Sequence, residues 1–235
     1  NMGEWFGISD DEWLVPHQTA LLIIDVQNYD TQPRYGITRY HPFSSGDSKG
    51  YFDRVSDVVA SIQDLLDLFR RIGWKIIYTC YGFEEEDGSD LPALWRHITL
   101  HLRDAKGAPY QLKKGSDAWK IHEAITPIKG ETVLTKTTNS AFQSTNLDMI
   151  LRQNRIRTLI VCGGWTNACV ESTIREATDK GYLCTLVQDC CLGPDEDTHR
   201  RAVKNLGHFY CRVKSLAEVT QEISRSIEHV DDTDA

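Results

Sequence analysis

The sequence predicts an α/β fold, a three-layer α/β/α sandwich around a six-stranded, mainly parallel sheet of Rossmann-like type. Three observations predict it. Short apolar runs alternate with amphipathic stretches along most of the chain, the pattern of a sheet covered by helices on both faces. The 235 residues carry 40% hydrophobic and 26% charged side chains, enough for one large globular domain, 1–235, with a substantial core. The longest apolar runs are strand-sized and fall well short of the roughly 20 residues that cross a bilayer.

Taken in order, residues 1–16 read as an N-terminal arm without the basic-then-apolar pattern of a secretory signal. The first strand, 19–25, is apolar until it closes on Asp25. Residues 29–50 are rich in Gly, Ser, Pro and Tyr and read as a long loop. An amphipathic helix follows at 53–71 and a strand at 74–79. Residues 82–117 read as an inserted, mostly irregular region holding Glu84, Glu85, Glu86, Asp87, Trp95, His97 and His101. Long loops in a compact α/β domain are more often functional than accidental. Strands are then predicted at 132–135, 158–162, 183–188 and 208–213, and helices at 146–154, 168–180 and 195–206. A last helix at 215–227 opens with Ser215 and carries Glu218 three residues on, a capping-box signature. The tail, 228–235, is polar and reads as frayed.

The formal net charge of −8 argues against a nucleic-acid partner gripped through its phosphates. The absence of a spanning segment argues against a membrane partner. Seven cysteines form no CxxC pair and no Cys/His ligand spacing, and several lie inside apolar runs, which fits a reducing cytoplasm.

In open α/β sheets ligands bind beyond the carboxyl ends of the strands. Asp25, Lys136 and Cys169 all lie at or just past such ends, so an acid, a cation and a thiol share one sheet edge. A nucleophilic thiol needs help to ionise, and a helix start near Asn167 together with a lysine supplies it. Each residue also has an ordinary reading: Asp25 as a turn residue, Lys136 as a solvated cation, Cys169 as a buried and inert thiol.

The residues around these positions resemble the isochorismatase-like cysteine hydrolases. Leu21-Leu22-Ile23-Ile24-Asp25-Val26-Gln27-Asn28 is similar to their opening motif. Thr135-Lys136 with Ser140-Ala141-Phe142 is similar to their lysine segment. Gly163-Gly164-Trp165-Thr166-Asn167-Ala168-Cys169-Val170 is similar to their nucleophile segment. The likeness runs over residues 17–225 and is nearest the branch containing biuret hydrolase, ureidoacrylate amidohydrolase and N-carbamoylsarcosine amidohydrolase. It implies Cys169 as nucleophile, Asp25 as the base that takes the thiol proton and returns it to the leaving nitrogen, and Lys136 as the group that holds Asp25. It further implies an oxyanion hole from the backbone N–H groups of Trp165 and Cys169, a cis Gly164–Trp165 peptide, and a homo-oligomer, dimer or tetramer.

Departures from the family pattern bear on the substrate. Nicotinamidases of this family bind a metal through histidines after the first strand. Residues 26–39 contain none, so neither metal nor cofactor is expected. Isochorismatases lack a cysteine at position 169, which points here to amide rather than vinyl-ether cleavage. Biuret hydrolases carry a second lysine where this chain has Asn139, which suggests a substrate with a different polar tail. Tyr29, Asp30, Asn139, Phe142 and Trp165 are the candidate substrate contacts. Asp30 reads either as an exposed loop carboxylate or, if it points inward, as a partner for a guanidine or urea. Trp165 reads as a wall for a flat substrate or as a subunit contact, and Phe142 as a pocket wall or a core residue. The expected activity is hydrolysis of a C–N bond in a small ureido (N-carbamoyl, biuret-like) compound through a thioester or carbamoyl-enzyme. The alternatives are a maleamate-like linear amidase and a non-catalytic binding protein of the same fold.

Overall fold

A computed structural model of the chain describes residues 7–35, 48–101 and 112–233. Its centre is a six-stranded sheet whose neighbouring pairs are all parallel. The strands are β1 (Thr19–Ile24), β2 (Lys75–Tyr81), β3 (Thr132–Lys136), β4 (Thr158–Gly164), β5 (Leu183–Leu192) and β6 (Arg212–Lys214). They lie in the order β3-β2-β1-β4-β5-β6, so the chain winds outward in one direction through β3 and then in the other from β4. The reversal falls between β1 and β4, which is where open α/β sheets open a crevice.

Every residue of β1 and of β4 is buried, because helices cover both faces. The principal helices are α1 (Ser48–Ile72), α2 (Ala93–His101), α3 (Leu147–Gln153), α4 (Glu171–Asp179), α5 (Glu196–Phe209) and α6 (Leu216–Thr233). Helix α1 buries Val55, Val59, Ile62, Leu66 and Phe69 at helical spacing and leaves Asp53, Asp57, Asp64 and Asp67 in solvent. It packs on β2, β5 and α6, while α4 and α5 pack on each other and on β5. The capping box of α6 forms: Ser215 N donates to Glu218 Oε2 (2.7 Å) and Glu218 N to Ser215 Oγ (3.3 Å). No helix among the described residues is long and apolar enough to cross a membrane.

The structure corrects several boundaries. Helix α5 runs on to Phe209, so the last strand is only Arg212–Lys214 rather than 208–213. The region 82–117 contains α2, and its residues 102–111 lie outside those described. The loop expected at 29–50 is shortened by a helical turn at Asn28–Thr31 and by α1 starting at Ser48, with 36–47 outside the described residues. In the N-terminal arm, Asp10–Trp13 form one helical turn and Trp13 is buried, with the Arg212 guanidinium 5.5 Å from the centre of its ring. The backbone of α6 stays helical through Thr233, into the tail read as frayed.

Glycine at 163 is a steric requirement of the sheet. Its φ is +115°, and a Cβ there would stand 2.1 Å from the Ile24 carbonyl oxygen and 2.6 Å from the Ile24 nitrogen. Gly181, at φ +89°, has nothing within 4 Å of the same atom. Gly163→Ala is therefore expected to cost more than about 2 kcal/mol in urea unfolding. Gly181→Ala is expected to cost about 1 kcal/mol, from backbone conformation alone. Equal losses would show that strain, and not the approach of β4 to β1, sets the cost.

Candidate active site

The register of the sheet brings three strand ends to one height. Ile24 stands opposite Thr79 and Gly163, and Tyr81 stands opposite Lys136. Immediately past β1, Asp25 adopts φ +49°, a left-handed conformation that Asp tolerates better than most residues. Its N–H donates to the Thr79 carbonyl (3.1 Å), and the Thr79 hydroxyl donates to Asp25 Oδ1 (2.7 Å). The second carboxylate oxygen pairs with Lys136 Nζ at 2.7 Å.

Lys136 reaches across β2 to make that pair. Strands two apart in a sheet are roughly 10 Å apart, a gap that needs a long side chain. The ammonium passes 5.0 Å from the centre of the Tyr81 ring and is fully buried. It donates to the Thr138 carbonyl (2.8 Å) and to Cys169 Sγ (3.2 Å) as well as pairing with Asp25, which occupies its three donors.

Cys169 sits on a π-type turn, Thr166–Val170, that leads from β4 into α4. The N–H groups of Ala168 and Val170 both return to the Trp165 carbonyl (3.0 and 3.2 Å). Such turns are rare and concentrate at functional sites. The Gly164–Trp165 peptide is cis. Cys169 is half-buried, whereas the other six cysteines are buried and free. Its thiol lies beside the Lys136–Asp25 pair, sharing the ammonium with the carboxylate.

Burial pushes the Cys169 thiol up to about 12; Lys136 opposes that shift and Asp25 reinforces it. Burial alone would lower Lys136, but Asp25 and the sulfur outweigh it and hold the ammonium above the usual lysine value. At this site the burial of the thiol opposes the ionisation that a helix start and a lysine favour.

The isochorismatase domain model matches residues 19–219 of the chain. The chain belongs to the isochorismatase family. Among its relatives, the ureidoacrylate amidohydrolase RutB of Agrobacterium fabrum is 30% identical over 223 residues, covering 91% of this chain and 93% of that protein. An isochorismatase family protein from Desulfovibrio vulgaris has a TM-score of 0.71 at 25% identity, covering 88% of this chain and 98% of that one. A cysteine hydrolase from Pseudomonas syringae pv. phaseolicola shares the fold with a TM-score of 0.72 at 24% identity, covering 91% of this chain and 96% of that one.

Within this isochorismatase-family hydrolase the expected site residues separate into two groups. Asp25, Lys136 and Cys169 converge, and Asn139 Oδ1 lies 3.9 Å from the sulfur. Trp165 belongs to the rim: its Nε1–H donates to the Tyr51 hydroxyl (3.1 Å). Tyr29 and Trp165 pack with Trp95 against Tyr81, Phe83, Leu91 and Leu112, a second apolar cluster built largely from the inserted region. Asp30 is buried, contrary to the exposed-loop reading. Burial first, and the Asp25 charge next, push it well above the usual carboxylate range. Phe142 does not join them. It is stacked on Tyr182 (5.9 Å between ring centres) inside the main core, so its aromatic surface is already covered. The acidic run at Glu84–Asp87 is solvated: Glu84 pairs with Lys114, Glu86 with Lys113 and Asp87 with Arg96.

Four supporting residues escaped the sequence reading. Thr79 orients Asp25. Tyr51 carries Trp165. His199 Nδ1 bonds the Thr166 hydroxyl (2.8 Å) at the start of the π-type turn. Gln27 donates to the carbonyls of Tyr81 (3.0 Å) and Trp119 (2.7 Å) and accepts from Tyr81 N (2.7 Å), tying β2 to the segment beyond the insertion. Only Gln27 left a signal, its place inside the Asp25–Asn28 motif. Among the described residues no group of three or more His, Cys, Asp or Glu side chains is arranged to hold a metal.

The charge arrangement makes a test of opposite signs. Asp25→Asn removes the negative neighbour and is expected to lower the Cys169 pKa, while Lys136→Met is expected to raise it. Thiolate absorbance near 240 nm, titrated on protein whose circular dichroism is native, reads both. An upward shift in Asp25→Asn would contradict the assigned neighbours.

Proposed function

We propose that this chain hydrolyses a C–N bond of a small ureido compound with Cys169 as nucleophile. One observation carries the reading: the half-buried thiol bonds the same buried ammonium that holds the Asp25 carboxylate. The curated relatives named ureidoacrylate amidohydrolase support a ureido substrate.

With substrate in place, the Cys169 thiol gives its proton to Asp25 and the sulfur attacks the carbonyl carbon. The carbonyl oxygen becomes an oxyanion, received by the backbone N–H groups of Trp165 and Cys169. The C–N bond then breaks, and Asp25 passes its proton to the departing nitrogen, releasing ammonia or an amine. Water attacks the remaining thioester or carbamoyl-thioester, gives one proton back through Asp25, and restores the thiol. Lys136 keeps its proton throughout and fixes the carboxylate between sulfur and leaving group. The unpaired cysteines support a reducing compartment such as the cytoplasm.

Ammonia release from a panel of ureido compounds and carboxamides tests the proposal. Cys169→Ala is expected to leave the fold intact and to lower turnover by more than about 10³-fold. Cleavage confined to simple carboxamides would move the assignment to a linear amidase. Turnover that survives Cys169→Ala would remove the nucleophile.

A further inference from the structure

One acidic group at the site has no part in the chemistry above. Asp30 lies on the helical turn Asn28–Thr31 and is only 4% exposed. Its Oδ1 is completely buried and has no hydrogen-bond partner among the described residues. It lines the same small cavity as Asp25, together with Gly163, Gly164 and the α1 residues Val55 and Val59. A buried acceptor left without a donor costs about 1–3 kcal/mol, more when it is charged, so native proteins rarely keep one that nothing ever satisfies.

None of the neighbouring donors reaches that oxygen. Lys136 spends its three on Asp25, Thr138 and Cys169. The Tyr51 hydroxyl accepts from Trp165 and makes no hydrogen bond to Asp30 Oδ1. The Arg54 guanidinium turns to the Pro194 carbonyl (3.3 Å) and lies 5.8 Å from the centre of the Tyr51 ring. No hydrogen bond from the adjacent Tyr29 reaches Oδ1. A ligand entering beside Asp25 is thus the source of donors for that oxygen.

We propose that Asp30 determines specificity: its Oδ1 accepts N–H bonds from the end of the substrate remote from the scissile bond, selecting an amino-, ureido- or guanidino-terminated molecule over a carboxylate-terminated one. The assignment rests on the ureido-hydrolase reading and narrows it. A carboxylate end would bring its charge against the Asp25 carboxylate and offers no donor to Asp30 Oδ1, a mismatch that discriminates as strongly as any attraction. A guanidinium or terminal urea presents paired N–H groups that match a carboxylate. The chain then parts company with relatives named for ureidoacrylate, whose free end is an acid.

Binding to the Cys169→Ala protein tests this without depending on turnover. Guanylurea, biuret and 3-ureidopropionate are titrated calorimetrically. The first two are expected to bind at least about tenfold more tightly than the third. Asp30→Asn is expected to weaken guanylurea about 10- to 100-fold and to narrow the gap to the carboxylate. In the active enzyme the same change is expected to raise KM for that substrate and leave kcat nearly unaltered. Tighter binding of 3-ureidopropionate, no binding of either N–H-terminated compound, or an equal loss for all three in Asp30→Asn overturns the proposal. The ligand ranking in Cys169→Ala stands even if Asp30→Asn misfolds. A failure of the cysteine mechanism shows separately, as turnover retained by Cys169→Ala.

Discussion

A lysine ammonium shut away from solvent governs this molecule. Burying an isolated charge costs several kcal/mol, and a misplaced partner leaves most of that cost standing. At Lys136 the cost is met by three partners at once: the Asp25 carboxylate, the Thr138 carbonyl and the Cys169 sulfur. They come from the end of β1, the chain just past β3 and the turn after β4, so the sheet register must be right for all three. The left-handed backbone at Asp25 and the close approach of Gly163 to Ile24 are local consequences of holding that geometry.

The same pair fixes the character of the thiol. Asp25 consumes the charge of Lys136, so a thiolate would add a net negative charge to a buried site, and the sulfur keeps its proton.

Above the ion pair lie two different surfaces. The inserted region contributes Phe83, Leu91, Trp95 and Leu112 as an apolar wall, and Trp165 packs against both this cluster and the main core. On the other side, α1 supplies Val55 and Val59 and delivers Tyr51 to Trp165. One side is apolar and aromatic; the other ends in the unmet oxygen of Asp30. The ion pair and these two surfaces thus sit on different elements of the fold.

The sequence by itself determined the α/β class, the central strands and the strand-end positions of Asp25, Lys136 and Cys169, which the structure brings together. Strands covered on both faces are apolar throughout, and Asp25, Lys136 and Cys169 follow such strands within recognisable segments. It resolved the edges poorly. β6 pairs at only three positions, so too little of it is patterned to outweigh the helical period running through 206–209. Helix α2 buries so few of its residues, with Leu94 at 66% exposure, that no amphipathic stripe betrays it. What only the tertiary structure decided is which polar groups meet. Thr79 on Asp25, His199 on Thr166 and Tyr51 on Trp165 are contacts between elements distant in the chain, and no local period encodes them. Whether Phe142 faced substrate or core, and whether Asp30 faced solvent or ligand, depended on packing from elements far away in sequence: Tyr182 covered the first, and α1 enclosed the second.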